Sequence, residues 1–333
     1  MQFDHLKRRS FITLLGGAAV AWPLVQRAAH TQAMPVIGFL GSASAGTFAH
    51  LVAGFRRGLQ GMGFVEGHNV AVEYAWAEGR YDRLPELAQN LVRRQVSVIV
   101  TSGGDNPSLA ATAATSTIPV VFVVGSDPVK IGLVASLARP GGNATGVNIF
   151  TAELAEKRFG LLNDAIPTAT TFAVLTNPNF PPAMSNAQQS EGAGRRVGKE
   201  VVVFHASNES EIDSAFVRMV AARPGALLVS ADPFFNSRRE QIVALAARYA
   251  LPAIYEWREF VEVGGLMSYG TDLVEAYRLQ GAYAGRVLKG EKPADLPVVQ
   301  LSKFQLIINL KTASALGLAI PPGVLAIADE VIE

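Results

Sequence analysis

Short apolar runs separated by longer amphipathic stretches recur along most of the chain, and this alternation limits the fold more than any other feature. Pro35–Leu40, Val70–Tyr74, Val96–Thr101 and Val120–Val124 are continuous and rich in Val, Ile and Phe. That is the pattern of strands buried on both faces of a parallel sheet. Helical patterns fall between them at about 47–62, 81–94 and 106–115, with Pro107 suited to a first turn and Asp105 or Asn106 to a cap. A second series follows Gly141-Gly142-Asn143. It has strands at Phe172–Leu175, Val201–Phe204, Ala226–Val229 and Ala253–Tyr255, and helices at about 151–164, 182–197, 209–222 and 234–249. Leu266–Ser268, a helix at 272–288 and a hairpin around 297–309 complete the pattern.

Two β-α-β-α series predict the α/β class, as two doubly wound parallel-sheet lobes joined by a multi-strand hinge. Gly141-Gly142, Gly264-Gly265 and Gly290–Pro293 are the candidate crossovers, since each falls where one series gives way to the next. They divide the chain into lobe 1 (34–142 and 265–291) and lobe 2 (143–264 and 292–333). The same glycines also read as ordinary turns.

The first 33 residues read as an export signal. Arg8-Arg9-Ser10-Phe11-Ile12 precedes an almost uncharged run from Leu14 to Val25. A basic stretch, an apolar core and small residues make a signal peptide, and the paired arginines point to the twin-arginine route. The core is short for a membrane span, which needs about 20 residues. Thr31 and Ala33 predict cleavage after Ala33; an uncleaved membrane anchor is the alternative. The expected location is the periplasm.

The chain has 29 basic and 28 acidic residues. The export segment holds Lys7, Arg8, Arg9 and Arg27 against Asp4 alone, so the remainder is slightly acidic. No basic field is left for nucleic acid. There is no cysteine, which excludes disulfides, thiol nucleophiles, thiolate metal sites and a lipid-modified N-terminal cysteine. The histidines outside the export segment, His50, His68 and His205, lack metal-ligand spacing. Gly-x-Ser-x-Gly, a strand-linked Gly-x-Gly-x-x-Gly, a phosphate-binding loop and His-Glu-x-x-His are all absent. No enzyme, metal or cofactor is therefore expected.

In open α/β sheets, ligands bind beyond the carboxyl ends of the strands. Those ends carry Gly41 to Gly46 with Ser42 and Ser44, then Ser102-Gly103-Gly104, then Gly125-Ser126-Asp127. In the second half they carry Asn177, Asp232, Tyr255-Glu256 and Tyr269. Small hydroxyl- and glycine-rich loops near helix N-termini suit a carboxylate, while Asp127, Asp232 and Glu256 could hold an ammonium. Glu256, between Tyr255 and Trp257, is the sharpest candidate for that pairing. Each loop also reads as a helix cap or a turn.

With these features the chain resembles the type I periplasmic substrate-binding proteins of ABC importers. The resemblance rests on Arg9-Ser10-Phe11-Ile12-Thr13-Leu14-Leu15-Gly16-Gly17, Pro35-Val36-Ile37-Gly38-Phe39-Leu40, Ala231-Asp232-Pro233-Phe234-Phe235 and Leu251-Pro252-Ala253-Ile254-Tyr255. The C-terminal Asn309-Leu310-Lys311-Thr312-Ala313, Leu316-Gly317-Leu318 and Pro321-Pro322 also fit, so it covers essentially the whole chain. It implies a hinged trap that hands a small ligand to an inner-membrane ABC permease; a monomer is expected. It also implies that the ligand carboxylate lies on Ser102-Gly103 and Gly125-Ser126-Asp127, with Glu256 as ammonium partner. Asp232 stands where relatives often place an aromatic group, a departure that points away from a simple aliphatic amino acid. An aromatic or amino-acid-like ligand is expected. A sensory module would use the same trap, and an exported hydrolase is the remaining alternative.

Overall fold

A computed structural model describes residues 34–151 and 154–333. The export segment expected over residues 1–33 lies outside the described residues. The first half runs β1 (Val36–Gly41), α1 (Ala49–Gly61), β2 (Ala71–Trp76), α2 (Leu84–Arg93), β3 (Val98–Ser102), α3 (Asp105–Ala114), β4 (Val120–Val124) and β5 (Ala144–Asn148). Next come α4 (Ala155–Ala165), β6 (Thr171–Thr176), α5 (Pro181–Arg196), β7 (Glu200–His205), α6 (Glu209–Ala222), β8 (Ala226–Val229), α7 (Pro233–Ser237), α8 (Arg239–Arg248) and β9 (Ala253–Tyr255). The chain then continues through α9 (Arg258–Glu262), β10 (Met267–Thr271), α10 (Leu273–Leu288), β11 (Val299–Gln300), β12 (Phe304–Asn309), α11 (Leu310–Ala315), α12 (Pro322–Leu325) and β13 (Glu330–Ile332).

Two sheets result, in the orders β11-β5-β4-β3-β1-β2 and β13-β12-β10-β9-β8-β6-β7. Every pairing is parallel except β10 with β12. The apolar runs are the sheet centres: β3, β4 and β8 are buried along their whole length, as strands covered by helices on both faces must be.

The passages between the sheets do not fall at the glycine pairs. β5 joins the first sheet beside β4, and β10 joins the second beside β9. The chain therefore crosses between β5 and α4, between β10 and α10, and between β11 and β12, one element later than expected in each case. The glycines make local turns instead. Gly264 takes φ of +104° and its N–H donates to Val261 O, closing the end of α9, while Gly290, at φ of +96°, ends α10. The first crossing shows a different signal, a left-handed non-glycine residue, Phe150 with φ of 54°, the kind of backbone strain that recurs at moving joints.

The expected hairpin at 297–309 is absent. β11 pairs parallel with β5, and β12 pairs antiparallel with β10 in the other sheet. β5 was not legible as a strand because Ala144-Thr145-Gly146-Val147-Asn148 is not an apolar run. It is held by its neighbours, with Thr145 Oγ1 donating to Leu296 O at 2.7 Å. α10 follows a second-sheet strand but packs on α1, where glycines bring the two backbones together. A Cβ on Gly58 would lie 1.8 Å from Arg278 O, and one on Gly281 2.0 Å from Phe55 O.

Candidate functional site

The strand ends of the two sheets face each other across one cleft, which side chains from both lobes close. Tyr81, just before α2, donates its hydroxyl to Asp232 Oδ2 across the cleft at 3.3 Å. His50 Nε2 lies 3.1 Å from Glu259 Oε1. The Tyr81 and Phe180 rings are 6.0 Å apart. Gly104, at φ of +89°, presses so close to lobe 2 that a Cβ there would sit 2.9 Å from Phe180 Cζ.

Inside the closure lies a narrow pocket between the lobes, part of it open to solvent. Lobe 1 supplies Phe48, Leu51, Gly103, Gly104 and Gly125; lobe 2 supplies Phe180, Ala231, Pro233, Asn236 and Trp257; Tyr277 of α10 completes one wall. The lining carries no charged side chain among the described residues. Asn236 is fully buried, and both atoms of its side-chain amide lack a hydrogen-bond partner; so does Trp257 Nε1. Aromatic walls, open backbone at glycines and a few buried polar groups make a small-molecule site. The hydroxyls of Thr151 and Tyr277 have no titratable base beside them in the lining, so the arrangement suits capture by burial rather than bond chemistry.

Of the residues expected here from sequence, Gly103 and Gly104 line the pocket. Ser42 and Ser102 stand behind them. Ser42 Oγ donates to Gly103 O at 2.8 Å. Ser102 Oγ is 2.7 Å from the Tyr277 hydroxyl, which also accepts from Gly103 N at 3.0 Å. The position expected to receive a ligand carboxylate, Ser102 with the Gly103 amide, is thus taken by Tyr277. Burial pushes that phenol up to about 12, so it stays protonated.

Asp105 was expected as a cap, but Gly104 holds the N-cap of α3. Asp105 is buried and ties the next loop down, accepting from Gly125 N at 3.1 Å and Ser126 N at 3.4 Å. Ser126 therefore serves Asp105, with its side chain as well as its amide. Asp127 makes a turn, accepting from Val129 N at 2.9 Å with Lys130 Nζ 3.8 Å away. Ser44 bonds Thr47 at 2.9 Å and borders a separate groove at the cleft rim with Ser237 and Arg238.

Asn177 and Asp232 meet in lobe 2. Asp232 caps α7 by accepting from Phe235 N at 2.9 Å, and its other oxygen accepts from Asn177 Nδ2 at 3.1 Å as well as from Tyr81. Burial raises this carboxyl to about 6, and those donors hold it from rising further.

Glu256 turns away from the pocket lining toward Arg158, whose Nη1 is 3.4 Å from its Oε1, with both side chains buried. Burial lifts the Glu256 carboxyl to about 7 against the pull of Arg158, and lowers the Arg158 guanidinium. Arg158 also donates to Thr151 O at 3.0 Å. The pair thus braces the wall behind the pocket. Tyr255 points into the lobe-2 interior, stacked on Phe260 at 4.6 Å, beside a different groove. Tyr269 leans on Phe304 at 6.0 Å.

Phe48, Tyr81, Phe180, Asn236 and Tyr277 were not legible from the strand ends. Asn236 lies one helical turn beyond Asp232, and Tyr277 one turn into α10, each away from the residues that directly follow a strand. Trp257 directly follows Glu256 and was legible as an aromatic neighbour.

Known proteins share this fold. A "Tyrosine-binding protein" from Clostridioides difficile is 26% identical over 265 residues, 80% of this chain and 76% of that protein. The structure of an ABC domain from Streptococcus pneumonia in complex with L-Trp is 27% identical, with a TM-score of 0.80 over 90% of this chain and 99% of that one. A conserved domain protein from Vibrio cholerae is 26% identical, with a TM-score of 0.81 over the same shares. Residues 38–332 match the family model of the ABC transporter substrate binding proteins. The chain belongs to that family, whose members bind substrates and are not enzymes.

Proposed function

We propose that this chain is the substrate-binding component of an ABC importer, and that its lobes close over an amino-acid-like ligand with an aromatic or otherwise apolar side chain. The observation that carries this reading is the uncharged inter-lobe pocket walled by Phe48, Phe180, Trp257 and Tyr277. Relatives that bind tyrosine and L-Trp support it. Gly103 and Gly104 lead into α3 and bare their backbone to the pocket, leaving room for the ligand against that wall. Ser42, Ser102, Ser126 and Asp105 shape those loops, and Asn177 and Asp232 hold the closed state through Tyr81. Ligand binding shifts the lobes toward closure by its differential affinity, and the closed monomer docks on the permease.

Family members are periplasmic or extracellular, and Arg8-Arg9 supports export by the twin-arginine route. Calorimetric titration of the purified protein with L-tyrosine, L-tryptophan, L-phenylalanine and L-leucine tests the ligand class. Saturable one-to-one binding, tightest for the aromatic members, is expected. Absence of binding to every amino acid refutes it. Replacing Arg8 and Arg9 with Lys is expected to leave the protein in the cytoplasm.

A further inference from the structure

Asn236 is fully buried in the wall of the pocket, and neither its Oδ1 nor its Nδ2 has a partner. More than about nine in ten buried polar groups are paired in folded proteins, and an orphaned one destabilises the fold. The residue is also held rigidly. Its N–H donates to Asp232 O at 3.0 Å, and its own carbonyl accepts from Arg239 Nη1 at 3.0 Å. Its helix starts at Pro233 and is capped by Asp232. A fixed amide with a free donor and a free acceptor is a recognition device, not a packing residue. Trp257 Nε1, a donor only, is the second unpartnered group on the same wall.

Charge narrows what these groups can read. The lining holds no charged side chain among the described residues. Among the acids that adjoin lining residues in sequence, Asp232 has its oxygens taken by Phe235 N, Asn177 and Tyr81, and Asp105 accepts from Gly125 N and Ser126 N. Glu256 is turned to Arg158. A lone carboxylate or a lone ammonium entering here would lose its hydration with no counter-charge to replace it. A zwitterion brings its own.

Resting on the amino-acid-like reading above, we propose that Asn236 is the specificity-determining residue of the pocket. It selects a ligand without net charge that presents a donor and an acceptor side by side, as the α-ammonium and α-carboxylate of an amino acid do. Oδ1 accepts from the ammonium, while Nδ2 and Trp257 Nε1 donate to the carboxylate.

The test is calorimetry on the purified wild-type, Asn236→Leu and Trp257→Phe proteins. The panel is L-tryptophan, its amine-free analogue indole-3-propionate, its carboxylate-free analogue tryptamine, and the neutral nucleoside adenosine. Wild type is expected to prefer L-tryptophan over both singly charged analogues. Asn236→Leu is expected to weaken L-tryptophan by about 10–100-fold, the scale of losing hydrogen bonds to charged groups, and so to shrink that preference. Trp257→Phe, which keeps the ring packing, should lower affinity for L-tryptophan and leave tryptamine unchanged, so the proposal stays testable if Asn236→Leu does not fold. Undiminished preference in Asn236→Leu, or a wild type that favours either charged analogue, overturns the proposal. Adenosine binding that Asn236→Leu abolishes, with no binding of L-tryptophan, upholds the role of Asn236 and defeats the amino-acid reading. Binding of nothing in the panel defeats both.

Discussion

Replacing Tyr81 with Phe deletes one oxygen from the contact between the lobes and leaves the ring where it is. That oxygen donates to Asp232 Oδ2 at 3.3 Å, while the ring keeps its packing on Phe180. Hydrogen bonds to charged groups contribute about 1.5–3 kcal/mol. At 3.3 Å this one is longer than the usual O–H···O range, so the lower figure applies. The partners lie in different lobes and meet only on closure, so the energy belongs to the open–closed equilibrium, not to the fold of either lobe. The ligand dissociation constant should rise about tenfold for about 1.4 kcal/mol, with thermal unfolding of the ligand-free protein nearly unchanged. The effect should depend on pH. Burial raises the Asp232 carboxyl to about 6, so it is ionised and the bond charge-assisted above that value. The gap between wild type and Tyr81→Phe should be full near pH 8 and shrink below about pH 6. Calorimetry across pH, with small-angle scattering to follow closure, measures both. Equal affinities at pH 8, or a gap that widens in acid, would refute the reasoning.

Glu256→Gln is expected to leave ligand affinity within about threefold, a sub-kcal/mol change, because the carboxylate faces Arg158; a large loss would put it on the ligand. Burial lifts this carboxyl from 4.5 to about 7 in the folded state. Its stabilising contribution is therefore present in full below about 4.5 and lost as pH rises through about 7. The thermal midpoint of wild type should fall more between pH 5 and pH 8 than that of Glu256→Gln. Gly104→Ala places a Cβ 2.9 Å from Phe180 Cζ at a φ of +89°. It should lose about 1–3 kcal/mol of stability to backbone strain and weaken binding further by obstructing closure, as calorimetry and urea unfolding would show. Asp105→Ala leaves the buried amide of Gly125 and that of Ser126 without their acceptor. It should destabilise by about 2–4 kcal/mol in urea unfolding, and an unchanged midpoint would mean the loop is held by something else.

The strands that can be read from local composition were legible. Val120–Val124, Ala226–Val229 and Ala253–Tyr255 coincide with β4, β8 and β9, because a strand buried on both faces must be apolar at every position, whatever its partners are. The α/β class and the two-lobed plan follow from how often that pattern recurs. β5 was not legible, because its burial comes from β4 and β11 on either side and not from its own residues. The three crossings were not legible either, since a glycine pair marks a turn equally well within a lobe or between lobes. The same limit applies to the site. Sequence placed Gly103, Gly104 and Glu256 at strand ends, where ligands bind in such sheets, but the side-chain direction beyond a strand end depends on partners far along the chain. Arg158 draws Glu256 behind the wall, Tyr277 of α10 occupies the Ser102–Gly103 corner, and Asn236 reaches the pocket because Asp232 caps its helix. Local periodicity thus determined the elements and the end of the sheets at which the cleft lies. Contacts between distant segments, each set by burial and hydrogen-bond satisfaction, decided which side chains the cleft contains.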